Sequence, residues 1–70
     1  MSNLKKYRLF LGLKQKDLAS KLGITAVSVH KMEEKGIYDT RVAVKYATAL
    51  NCNPLFLLDG LTNTQIRGNQ

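Results

Sequence analysis

The side chains best suited to bond-making chemistry are few and scattered. His30 is the only histidine and Cys52 the only cysteine among 70 residues. A metal centre needs several such donors at fixed spacing, and a disulfide needs two thiols. Neither requirement is met. His30 has no neighbour in the sequence that would make it a catalytic base, and the chain carries no nucleophile–base set, no carboxylate pair placed for acid–base work and no glycine-rich phosphate loop. No cofactor or small-molecule ligand is expected, and an enzyme is the class these residues support least. The chemistry on offer is cationic. Eleven lysines and arginines stand against five aspartates and glutamates, a net charge of +6, with a pI near 9.8. That balance favours a polyanionic partner, nucleic acid or an anionic membrane surface.

Those charges need a scaffold, and 70 residues allow one small domain with a marginal core. No apolar run approaches the roughly 20 residues that cross a bilayer. Met1 to Leu13 has charges scattered through it, unlike a signal peptide, and a lone thiol fits a reducing cytoplasm. Strand alternation and hairpin turns are absent, whereas helical spacing recurs. The pattern predicts a first helix from Asn3 to Leu11, capped by Ser2, with Leu4, Tyr7, Arg8 and Leu11 inward. A second helix runs from Gln15 to Leu22 and a third from Ala26, capped by Thr25, to Glu34, with Gly36 ending it. After a loop from Lys35 to Asp39, Thr40 caps a fourth helix, Arg41 to Leu50. Asn53-Pro54 opens a fifth, Pro54 to Leu58, stopped by Gly60. The fold class is therefore all-α, a compact five-helix domain over residues 1–61, with residues 62–70 a polar, frayed tail.

The stretch "QKDLASKLGITAVSVHKME" reads as one helix interrupted. Gly23 ends the first half in a left-handed conformation, Ile24 drops into the core, and Thr25 restarts the chain. Leu18, Leu22, Ile24, Val29 and Met32 face inward, and Ala19 is small because the next helix passes close to it. Two helices crossing steeply around such a turn make a helix-turn-helix. This set of residues, with "LGLKQKDLASKLGI" and "ATALNCNPLFLLDG", resembles the Cro and phage-repressor family, the XRE-like helix-turn-helix proteins, over about Leu4 to Gly60. The resemblance implies a lambda-repressor-like domain that binds a double-stranded DNA operator, as a homodimer, and regulates transcription. A stand-alone Cro-like repressor fits, in a bacterial or phage-infected cell. The excised DNA-binding domain of a longer repressor, or a protein-interaction module such as an antitoxin, are the alternatives.

In such motifs the second helix reads base edges in the major groove and the first crosses the backbone. The resemblance places Ala26, Val27 and Lys31 over base edges. Alanine and valine offer apolar contact to a thymine methyl, and lysine can donate to guanine O6 and N7. It also places Gln15, at a helix N-terminus suited to a phosphate, on the DNA backbone. Lys14 departs from the usual capping residue but can meet a phosphate directly. Thr25, Ser28, Lys35, Tyr38 and Arg41 are the other expected backbone contacts, with Arg41 also suited to a narrowed minor groove. Arg8, charged on an inward stripe, needs a carboxylate, and the family pairs its position with that of Glu33. Pro54, Leu55 and Phe56 cannot all be buried by so short a helix. The family uses this region as a two-fold dimer interface; packing against the tail or Phe10 is the alternative. Leu58 is expected in the core, and Cys52 as a small buried residue.

Overall fold

Short polar side chains start three of the helices by accepting a backbone N–H that has no partner inside the helix. In the computed structural model, which describes residues 1–60, the order is α1 (Asn3–Phe10), α2 (Gln15–Leu22), α3 (Ala26–Lys35), α4 (Thr40–Leu50) and a 3-10 turn, Pro54–Phe56. Ser2 Oγ accepts from Lys5 N–H at 3.2 Å, and Thr25 Oγ1 accepts from Ser28 N–H at 3.1 Å. Asp39 Oδ1, not Thr40, caps α4 by accepting from Arg41 N–H at 2.8 Å. Thr40 is instead the first helical residue. The class is all-α, as the spacing predicts, but among the described residues there are four helices and a single 3-10 turn where a fifth helix was expected. The expected tail, residues 62–70, lies outside the described residues.

Two further helix boundaries, and the burial of one loop residue, differ from expectation. α1 stops at Phe10, so Leu11 lies past the helix and is exposed rather than inward. Leu13 packs against the core in its stead. α3 continues to Lys35 before Gly36 breaks it at φ +88°. The segment read as a loop supplies a core residue, Ile37, which is fully buried.

The core is one cluster. Leu4 of α1, Leu18 and Ala19 of α2, Val29 of α3, and Ala43, Tyr46, Ala47 and Leu50 of α4 meet Ile37, Leu57 and Leu58. Leu22, Ile24 and Met32 line its edge. Cys52 does too, half-buried rather than enclosed, and burial pushes its thiol up. The 3-10 turn ends just before Leu57 and Leu58, which places both in the core and leaves Leu55 and Phe56 outside. Among the described residues no buried side-chain nitrogen or oxygen lacks a hydrogen-bond partner.

Asp59 closes the chain on itself. Its Oδ1 accepts from Asn3 N–H at 2.9 Å, at the start of α1. Its Oδ2 accepts from Ile37 N–H at 2.8 Å, and its own N–H donates to Ile37 O at 2.8 Å. Asn3 Nδ2 donates to Leu58 O at 2.9 Å beside it. One carboxylate thus joins the first helix, the α3–α4 connection and the last turn. Gly36 is required next to it: a Cβ there would lie 3.0 Å from Tyr38 Cε2 and 3.1 Å from Asp59 Oδ2.

Candidate nucleic-acid interface

The turn between α2 and α3 sets the geometry. Gly23 adopts φ +71°. Its N–H donates to Ser20 O at 3.3 Å, and Ile24 N–H reaches back to Ala19 O at 3.0 Å. Left-handed glycine and paired back-bonds of this kind end a helix without stranded carbonyls. Ile24 then packs on the core edge and Thr25 restarts the chain as α3. Val29, and Met32 more shallowly, anchor α3 inward. Thr25, Val27, Ser28, His30 and Lys31 are all exposed, Val27 to 60 %. No other part of residues 1–60 covers this edge. Ala26 is half-buried against the core, so it offers less surface than its neighbours. The Thr25 and Ser28 hydroxyl oxygens lie 3.1 Å apart, paired at the head of the helix.

Behind this edge a polar network ties α1, α2 and α3 together. Arg8 and Glu33 are both buried. Arg8 Nε donates to Glu33 Oε2 and its Nη2 to Glu33 Oε1 at 3.1 Å, a two-pronged pairing that suits a guanidinium and a carboxylate. Arg8 Nη1 donates to Leu13 O at 2.7 Å, pinning the α1–α2 connection. Gln15, the first residue of α2, donates from Nε2 to Glu33 Oε1 at 2.9 Å. The same Nε2 lies 3.4 Å from His30 Nδ1. Burial alone pushes the Glu33 carboxyl up, but the hydrogen bonds from Arg8 and Gln15 and the charges of Arg8 and Lys5 outweigh it. The group is held below its ordinary value of 4.5. Burial and the Glu33 charge together push the Tyr46 phenol up.

Lys14 begins α2 without capping it through its side chain. Asp17 makes the reciprocal bond at this end, its Oδ2 accepting from Lys14 N–H at 2.8 Å. The Lys14 side chain is left exposed beside Gln15. Lys35 and Arg41 are exposed at either end of the α3–α4 connection. Arg41 touches Asp39 at 3.4 Å, but with both side chains in solvent the pair holds little. The backbone N–H of Arg41, then its guanidinium, draw the Asp39 carboxyl below its ordinary value. Tyr38 is 67 % exposed, yet its ring rests over Gly36 and Gly60.

The remaining expected site residues lie elsewhere. Pro54 is half-buried, and Leu55 and Phe56 are exposed. Tyr7 stands between Phe10 and Phe56, with ring centroids 5.9 Å and 6.1 Å away. Phe10 is 80 % exposed. Contact between Phe10 and the 3-10 turn therefore runs through Tyr7 and leaves both outer rings open to solvent. Helical spacing puts Tyr7 inward, but nothing in the sequence shows that it would join two exposed rings.

A family model described as helix-turn-helix matches residues 4–57. The chain belongs to the helix-turn-helix family. Within it, the match is to the XRE type, as in Cro and the phage repressors. This helix-turn-helix protein is accordingly a DNA-binding regulator of transcription. No solved structure matches the chain. Among the described residues no helix is long and apolar enough to cross a membrane.

Proposed function

We propose that this helix-turn-helix protein is a Cro-like repressor that binds a palindromic operator as a homodimer. The observation that carries the reading is the uncovered edge of α3, from Thr25 to Lys31, held out by the Gly23 turn. An α-helix fits the major groove, where base edges carry a full code. Val27 and the methyl of Ala26 meet thymine methyl groups, and Lys31 donates to a guanine. Lys14, Gln15, Thr25, Ser28, Lys35, Tyr38 and Arg41 hold phosphates and set the register. Arg8 and Glu33 act from behind by fixing the position of Gln15. A net charge of +6 supports a strongly salt-dependent grip. Repression follows from occupying promoter DNA.

Selection of bound duplexes from a random pool tests this reading. Wild-type protein should return a two-fold symmetric site with half-sites about one helical turn, roughly 10 base pairs, apart. Lys31→Ala should lose preference at one position per half-site, at a cost of roughly 1–3 kcal/mol. Uniform weakening at every position would make Lys31 a phosphate contact instead. A flat response of affinity to salt would favour a protein-interaction module over a DNA-binding one.

Pro54, Leu55 and Phe56 form the dimer contact in this reading, with Tyr7 and Phe10 extending it. Exposed apolar clusters of this kind mark association sites. Phe56→Ser should leave thermal stability nearly unchanged, because the ring is mostly in solvent. It should weaken binding to a two-half-site duplex about tenfold or more, a contact loss above 1 kcal/mol. Binding to a single half-site should be unaffected; equal loss on both duplexes would remove this surface from the dimer.

A further inference from the structure

Gln15 has two amide hydrogens, and the fold engages both. Glu33, which carries a charge and can only accept, fixes the amide so that Nε2 points inward at 2.9 Å. The second hydrogen of that nitrogen is directed at His30 Nδ1, 3.4 Å away. Because Gln15 Nε2 can only donate, this contact is a hydrogen bond only while His30 Nδ1 carries no proton; a protonated Nδ1 would set two donors face to face. In this arrangement both hydrogens of the Gln15 amide are taken up within the protein, and neither is free to donate to an incoming phosphate.

We propose that His30 is a proton-controlled positioning residue for Gln15, so that DNA binding takes up a proton at His30. Protonation breaks the contact between the two side chains. One amide hydrogen of Gln15 becomes free to donate to a phosphate, while Glu33 keeps the other. The imidazolium itself adds a positive charge on the exposed edge of α3. Both changes favour DNA, so affinity rises as pH falls through the histidine range. The proposal rests on the DNA-binding reading above and adds a mechanism to it. The charged groups on the packed elements are Lys5, Lys6 and Arg8 of α1, Lys16, Asp17 and Lys21 of α2 with Lys14 at its cap, and Lys31, Glu33, Glu34 and Lys35 of α3. Glu33 is held by Arg8 and Asp17 by the Lys14 N–H, and an imidazole is the only side-chain type in this set suited to exchanging a proton near neutral pH.

The chain has a single histidine, which makes the test direct. Affinity for a mixed-sequence duplex at low salt is measured from about pH 5.5 to about pH 8. Wild-type affinity should increase on acidification by up to tenfold per pH unit, the limit for one proton. His30→Ala should remove that dependence, and this variant also controls for the terminal amine. Gln15→Ala should reduce the slope, since only the charge of the imidazolium then remains. Nuclear magnetic resonance of the His30 ring should show its titration moving to higher pH when duplex is added. The proposal is overturned by wild-type binding that is flat with pH, by the same slope in His30→Ala, or by a slope that Gln15→Ala leaves unchanged. Absence of duplex binding at every pH would instead overturn the DNA-binding reading itself.

Discussion

Asp59→Ala is expected to destabilise the domain by about 2–4 kcal/mol, although the residue is no part of the exposed edge of α3. The carboxylate satisfies two backbone donors, Asn3 N–H and Ile37 N–H, from segments 56 and 22 residues away in sequence. Each donor left without a partner costs about 1–3 kcal/mol, less where water can reach it. A core of this size supplies on the order of 3–5 kcal/mol in total, so the melting temperature should fall by roughly 10–25 °C. Asp59→Asn keeps one acceptor oxygen and turns an amide nitrogen on the other donor, so its loss should be intermediate. Thermal unfolding followed by circular dichroism separates the three proteins. If Asp59→Ala melts with the wild type, water replaces the carboxylate at both donors and the chain closure is not what holds α1 in place.

Asp59 also marks where the sequence stops being legible. The helices are readable because their signals are local: a cap, a run of apolar spacing, a glycine at the end. Gly23 shows this best, since its position between two apolar stripes implies the left-handed turn that the structure contains. The inward positions Leu18, Val29, Ala43 and Leu50 follow from the same spacing. Asp59 gives no such signal, because its partners are distant and a surface aspartate before Gly60 has the same local appearance. Ile37 was hidden for a related reason: a single apolar residue in a loop has no period. Leu11 and Leu13 show the opposite error. Helical spacing extends the α1 stripe to Leu11, but the helix ends at Phe10, and the bond from Arg8 Nη1 to Leu13 O draws Leu13 inward instead. Thr40 and Asp39 are both good caps, and only the path of the backbone decides between them. In the site, the exposure of Val27 and Lys31 follows from the period that buries Val29 and Met32. The link from Gln15 to His30 does not, because it depends on how two helices cross.

The largest loss is expected for Arg8→Ala, about 3–5 kcal/mol, because the change leaves Glu33 as a buried charge without its counter-charge. That is comparable to the whole stability of a domain this small, so the variant should be largely unfolded at 25 °C. Arg8→Lys keeps the charge but loses the fork that meets both oxygens of Glu33, and should fall between. The pair also predicts an acid profile. The Glu33 carboxyl is depressed below 4.5 in the folded chain, so its contribution is complete above that value and is lost as pH falls through the lower, folded-state value. Wild-type stability should decline in that window, and the gap to Arg8→Lys should narrow there. Urea unfolding at several pH values measures both effects. Fold and function are then separated by removing the two charges together. Arg8→Met with Glu33→Leu deletes the pair without stranding a charge, a change often neutral in buried sites, and should recover a folded domain. Gln15 loses its anchor in that double variant, since Glu33 Oε1 is the acceptor that orients its amide. DNA affinity should therefore stay below wild type while stability returns. A double variant that binds duplex as wild type does would show that the network serves the fold alone, and that Gln15 finds its phosphate without it.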